Sequence, residues 1–212
     1  MKPDPLLEVR TRKRLEQIQA LLLEAAFESA QELLDQLLEA QPDHPMVMRI
    51  QGIIKLQQGE MAAAEAWFRK ALALAPEHAV TWNDLGESLR LQGNNEAAGE
   101  AYRKAIEAQP EFPEAMNNLA VALAGLGRLD ESIACLKRAI ELAPEDAHPF
   151  NNLGVIQESQ GDLENALLNY EAAVKLRPDF DEAKANYSAL LTRNPDMFMP
   201  SLNRMLDAAK KL

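Results

Sequence analysis

Apolar and small residues recur along this chain at helical spacing, in blocks separated by polar punctuation. In residues 79–112, Trp82, Leu85, Gly86 and Leu89 follow one another at steps of 3, 1 and 3, which places them on one face of a helix. Gly93-Asn94-Asn95 then supplies a helix stop and a polar restart. Ala98, Tyr102 and Ala105, at steps of 4 and 3, mark one face of a second helix. Pro110 closes it, because proline lacks an N–H and its ring clashes with the preceding turn. The block therefore predicts a pair of helices. Gly86 and Ala98 would let the two approach closely, with Tyr102 filling the space beside them.

The block is copied. Pro42, Pro76, Pro110, Pro144 and Pro178 stand 34 residues apart, and Gly59, Gly93, Gly127 and Gly161 keep the same step. Two punctuators at one period mean a repeated helix pair. In 113–146 the apolar and small positions are Met116, Leu119, Ala120, Leu123, Ser132, Leu136 and Ala139. In 147–180 they are Phe150, Leu153, Gly154, Ala166, Tyr170 and Ala173, and in 45–78 Met48, Gly52, Ala64, Phe68 and Ala71.

The pattern W-x2-L-G … G … A-x3-[FY]-x2-A … P resembles the tetratricopeptide repeat. It covers 45–180 in four copies, 45–78, 79–112, 113–146 and 147–180. Residues 11–44 form a degenerate first copy: Leu15, Ile18, Leu21 and Leu22 make one face, Ala30, Leu34, Leu37 and Pro42 match the second helix, and Ala25 replaces the turn glycine. Residues 1–10 read as a leader and 181–212 as capping helices, giving one solenoid domain over 11–212. Within the cap, Ala183, Tyr187, Leu190 and Leu191 begin a further first helix and Asn194-Pro195 breaks the register. Phe198 and Met199 precede a last helix capped by Ser201 and carrying Leu202, Met205, Leu206 and Ala209. Two roles fit that helix: covering the last repeat, or docking into a partner or the groove. The resemblance implies an all-α fold, an α-solenoid in which antiparallel helix pairs wind into a right-handed superhelix with the first helices lining a concave groove.

Carried onto this chain, the family's groove positions are Arg49, Ile50, Ile53 and Leu56, then Asn83, Asp84, Glu87 and Arg90, then Asn117, Asn118 and Val121, then His148, Asn151, Asn152, Val155 and Glu158, and finally Glu182, Asn186 and Arg193. Asn118, Asn152 and Asn186 keep the step of 34, with Asp84 in the equivalent place one copy earlier. This series resembles the asparagine ladder in the repeat region of O-linked N-acetylglucosamine transferases, where asparagines hold the backbone of an extended peptide. The chemistry suits the role, since an Asn amide offers an acceptor and two donors and can grip one peptide unit from both sides. Helices about 8–10 Å apart and a strand rise of about 3.3 Å give one rung per roughly three ligand residues. An Asn at such a place can equally bond to the next helix and bind nothing. Met46, Ile50, Ile53 and Leu56 are open in the same way, as a contact patch or as core.

The family's clamp for chaperone C-terminal carboxylates is absent, because its Asn place holds Gln19, Ile53, Glu87, Val121 and Val155, and Asp84, Glu87 and Glu158 would repel an acidic tail. The whole chain of 212 residues carries a net charge of −11, which argues against nonspecific binding to nucleic acid or anionic lipid. The charge is uneven: residues 1–14 hold five cations against two anions, so the remainder carries −14. No apolar run is long enough for membrane insertion and the start has no signal-peptide core, which predicts a cytoplasmic protein. The single cysteine, Cys135, forbids an internal disulfide and reads as a small packed residue. His44, His78 and His148 show no metal-ligand spacing, and the glycines sit singly at helix turns and not in a phosphate loop. The sequence thus predicts a non-enzymatic protein without cofactor or metal, an adaptor that binds an extended peptide segment of a protein partner. Two alternatives stand beside it: a substrate-recognition part of a glycosyltransferase-type enzyme, and a scaffold that self-assembles through its terminal helices.

Overall fold

The computed structural model describes residues 5–24 and 26–195. Every regular element among them is a helix. They run in the order α1 (Pro5–Leu23), α2 (Phe27–Ala40), α3 (Pro45–Gln57), α4 (Met61–Leu74), α5 (Ala79–Leu91), α6 (Asn95–Ala108), α7 (Pro113–Gly125), α8 (Leu129–Leu142), α9 (Ala147–Ser159), α10 (Leu163–Leu176) and α11 (Asp181–Arg193). The α1 helix begins inside the segment that the sequence sets apart as a leader. The last helix expected from Ser201 lies outside the described residues, as do Phe198 and Met199.

The helix boundaries follow local chemistry. Gly59, Gly93, Gly127 and Gly161 have φ between 73° and 81°, the left-handed region where a Cβ is penalised. After each of them, the next N–H reaches back to close the helix: Asn94 N to Leu89 O at 3.0 Å, Asp162 N to Gln157 O at 2.9 Å. The restart is capped where the sequence allows it, by Asn94 on Ala97 N at 3.1 Å and by Asp162 on Asn165 N at 3.4 Å. A Cβ at Gly93 would meet nothing within 4 Å. Gly93→Ala is therefore a test of backbone conformation alone, and it is expected to cost about 1–2 kcal/mol in urea denaturation.

The chain divides into two compact units, Met1–Ala122 and Leu123–Leu212, with the division inside α7. In the first, α1 pairs with α2, α3 with α4 and α5 with α6, while α2 packs on α3 and α4 on α5. In the second, α9 pairs with α10, flanked by α8 and α11. Each unit is built as an α-solenoid of helix pairs.

Bare glycine faces fix the approach within pairs. A Cβ built on Gly52 would stand 2.5 Å from the Phe68 ring, one on Gly86 2.5 Å from Tyr102, and one on Gly154 2.7 Å from Tyr170. Each ring lies against the first helix where only glycine leaves room, and all three rings are buried. Between pairs, alanines make the contact. Ala79, Ala105 and Ala115 cluster with Phe112 in the first unit, and Ala147, Ala173 and Ala183 with Phe180 in the second. The two clusters match residue for residue at a displacement of 68, so a period of two repeats is superposed on the period of one.

The degenerate first repeat makes core. Ile18, Leu34 and Leu37 bury Val47, Ile50 and Ile54. Ile50 is 0% exposed, so of the two readings open for it, contact patch or core, it takes core.

Candidate functional site

The first helices of successive pairs meet along one row of polar side chains in each unit. The row arises because positions 35 residues apart fall opposite each other on neighbouring first helices. In the first unit Arg49 Nε on α3 donates to Asp84 Oδ2 on α5 at 2.5 Å. Both side chains are largely enclosed, 13% and 17% exposed. Burial pushes the Asp84 carboxyl above the usual carboxylate range, and the Arg49 charge and hydrogen bond pull against that.

One repeat on, the row becomes neutral amides. Asn83 Nδ2 on α5 donates to Glu114 Oε1 on α7 at 3.1 Å, and Asn118 Nδ2 on α7 donates to Asn83 Oδ1 at 3.1 Å. Asn117 Nδ2 approaches Asn118 Oδ1 at 3.4 Å from the same helix. The second unit repeats the arrangement between α9 and α11: Asn151 Nδ2 donates to Glu182 Oε1 at 3.1 Å, and Asn186 Nδ2 to Asn151 Oδ1 at 3.0 Å.

This corrects two expected site residues. Asn83 and Asn151 are 4% and 1% exposed, so they do not face a ligand. Each sits one residue before the groove position, and that 100° turn carries it onto the seam between first helices. Asn118 and Asn186 are half-buried, and so are Asn117 and Asn152. Val121 is half-buried, whereas Val155 is 43% exposed.

Beside the row, a tyrosine of the second helix anchors a glutamate of the first. In the first unit Tyr102 OH donates to Glu87 Oε2 at 3.2 Å, and Arg90 grips Glu87 with two bonds of 2.8 and 2.7 Å. The Arg90 bonds hold the Glu87 carboxyl below its usual range, while burial raises the Tyr102 hydroxyl. In the second unit Tyr170 OH donates to Glu158 Oε2 at 2.8 Å, and Arg193 reaches Glu158 Oε1 from α11 at 2.6 Å. The expected surface residues Glu87, Arg90, Glu158 and Arg193 are thus present as ion pairs.

Glu114 is a participant that the repeat pattern alone does not single out. Its signal in the sequence is the period of 68, which pairs it with Glu182. His148 is exposed, with its ring centroid 4.9 Å from that of Phe180. Among the described residues no group of three His, Cys, Asp or Glu side chains could hold a metal ion, and no helix is long and apolar enough to cross a membrane.

The sequence matches the tetratricopeptide repeat family over residues 15–79, 83–147 and 125–179. No curated protein matches it. Among solved structures, TTC0263, a thermophilic TPR protein in Thermus thermophilus, is similar with a TM-score of 0.72 at 21% identity, over 85% of this chain and 98% of that one. MamA is similar with a TM-score of 0.66 at 20% identity, over 80% and 97%. YrrB, described as a TPR protein with an unusual peptide-binding site, gives 0.63 at 24% identity, over 81% and 89%. At these identities the likeness speaks to the fold.

Proposed function

Because this chain belongs to the tetratricopeptide repeat family, whose members mediate protein–protein interaction, we propose that it is a non-catalytic adaptor that holds an extended peptide segment of a protein partner on its first helices. The observation that carries the reading is a half-buried amide on a first helix in each unit, Asn118 in the first and Asn186 in the second, whose nitrogen is held by a buried neighbour and whose oxygen still has acceptor capacity. A pre-set amide loses little freedom on binding, which favours affinity. Exposed Val155 in the second unit and half-buried Val121 in the first supply apolar contact beside the rungs. The similarity to YrrB supports the same class of ligand.

A substrate-recognition part of a glycosyltransferase-type enzyme would use these same contacts. Self-assembly makes a different demand, a mass that rises with concentration in light scattering.

The test begins with a phage-displayed dodecapeptide library panned on the purified chain. Wild type is expected to select peptides, and Asn118→Ala or Asn186→Ala is expected to weaken a peptide held by its own unit roughly 2- to 12-fold, as the loss of one hydrogen bond of about 0.5–1.5 kcal/mol would. A library that yields nothing, or an unchanged affinity with intact circular dichroism, sinks the proposal.

A further inference from the structure

The two amide relays have a direction, and a carboxylate sets it. An ionised carboxylate only accepts hydrogen bonds. Glu114 therefore obliges Asn83 to turn its Nδ2 toward it, at 3.1 Å. Asn83 then presents Oδ1 to α7, and Asn118 must in turn direct its own Nδ2 inward, at 3.1 Å. Reversing either amide would set oxygen against oxygen on a seam where Asn83 is 4% exposed, so no other assignment satisfies all three groups. The second unit builds the same relay from Glu182, Asn151 and Asn186, with distances of 3.1 and 3.0 Å. Both lie 68 residues apart in sequence, residue for residue.

Resting on the peptide-binding reading, we infer that Glu114 and Glu182 are positioning residues, each for the binding face of its own unit. Acting through buried Asn83 and Asn151, they commit the amide nitrogens of Asn118 and Asn186 inward, so that a ligand meets the carbonyl oxygen: Oδ1 of Asn186 in the second unit, and in the first the second lone pair of Asn118 Oδ1, which Asn117 Nδ2 approaches at 3.4 Å. Asp84, at the equivalent place, is likewise an acceptor, with one carboxylate oxygen held by Arg49. Each face therefore selects a segment that brings N–H donors, an extended backbone free of proline at the contacted positions. It disfavours ligands that offer only acceptors: proline-rich segments, carboxylate tails and phosphates. The negative charges of Glu114, Glu182 and Asp84 add to that exclusion.

The experiment takes a library-selected dodecapeptide and remakes it with one N-methyl residue at a time. With wild type, methylation at one or two positions is expected to weaken binding roughly tenfold. Glu114→Gln with Glu182→Gln should retain the wild-type melting temperature within a few degrees, since both glutamates are exposed at the end of the relay. Glutamine can present either donor or acceptor, so the polarity is released. Peptide affinity is expected to fall roughly threefold to tenfold, the loss should persist in 0.5 M salt, and the N-methyl penalty should shrink below threefold. Selected peptides rich in proline at the contacted positions overturn the inference. So does an unchanged affinity in the Gln variant while Asn118→Ala and Asn186→Ala still weaken binding, an outcome that leaves the adaptor reading intact. A loss that disappears in high salt also overturns it, because that marks bulk charge and not amide polarity. A wild-type chain that selects no peptide removes both.

Discussion

Arg49→Met is expected to cost the first unit about 3–5 kcal/mol, because it strands the Asp84 carboxylate on an enclosed seam. Methionine replaces the length of the arginine stem, so the loss falls on charge and hydrogen bonding more than on volume. The companion change decides the mechanism: Asp84→Asn in the Arg49→Met background should recover most of the stability, since a neutral amide tolerates the site that an unpaired anion does not. The pH dependence follows from sign. Burial already raises the folded-state carboxyl of Asp84, and removing Arg49 removes what opposes that rise. A raised group contributes stability below its unfolded value and loses it as pH climbs through the folded value. The gap between wild type and Arg49→Met should therefore be widest at neutral pH and close as the solution is acidified. Glu65 and Glu87 titrate the other way, lowered by bonds from Gln92 and Arg90 respectively, and lose their contribution as pH falls through the ordinary glutamate range. They do so in both proteins, so they cancel in the difference. His78 does not cancel. Its imidazole is held low first by burial and then by the Arg49 charge, and it accepts from Thr81 N at 3.2 Å as the cap of α5. A lowered histidine loses stability as pH falls below its unfolded value. Without Arg49 that depression is smaller, so the variant loses less from His78 than wild type does, and the gap closes further through the histidine range. Urea denaturation of both proteins from about pH 4.5 to 7.5 reads all of this, and a gap that does not change with pH removes the buried-carboxylate account.

Much of this architecture is written locally. The 34-residue step of prolines and glycines encodes helix ends, and a helix end is decided by a few residues: Gly93 turns left-handed, and Asn94 caps α6. The small and large positions, Gly86 with Tyr102 and Gly154 with Tyr170, are also local, because helix and partner lie within one repeat. What the sequence does not display is which polar group crosses to the next helix. Asn83 and Asn118 look alike as letters, yet one turn of 100° buries the first and leaves the second half-buried. Ser88, which the repeat pattern does not single out, is 0% exposed, with its hydroxyl donating to the carbonyl of Met61 at 2.8 Å. Arg193 and Glu158 are each legible as surface charges, and only the packing of α11 on its neighbours pairs them at 2.6 Å. The common cause is contact between neighbouring repeats, 27 residues apart for Ser88 with Met61 and 35 for the other two pairs, where the partner depends on rotation about the helix axis and not on composition. The chemistry of the site lives in these seam contacts, and for that reason the sequence marks the asparagines without saying which way their amides face.

Gly86→Ala is expected to destabilise the chain although alanine is the better helix former. The propensity gain is about 1 kcal/mol. Against it, the new Cβ would stand 2.5 Å from Tyr102 Cε1 and 2.6 Å from Cδ1. The ring cannot easily retreat, being 0% exposed with its hydroxyl held by Glu87. Overpacking of this kind costs about 1–3 kcal/mol, so the net effect is a loss that should be visible in urea denaturation. The chain itself indicates the repair. In the copy over 113–146 the same two sequence positions hold Ala120 and Leu136, a larger residue at the place of the glycine and a smaller one at the place of the tyrosine. Tyr102→Leu alone leaves bare Gly86 facing a void and loses the bond to Glu87, so it too should be destabilising. The double variant, Gly86→Ala with Tyr102→Leu, should be more stable than the sum of the two losses allows, with a coupling of about 0.5–3 kcal/mol in a double-mutant cycle. Losses that simply add would mean that ring and glycine are not matched as a pair. Tyr102→Phe separates shape from hydrogen bond: it keeps the ring against Gly86 and frees Glu87 to swing with Arg90. If the bond from Tyr102 shapes the binding face, the Tyr102→Phe protein should keep its stability within about 1 kcal/mol of wild type and still bind a selected peptide more weakly.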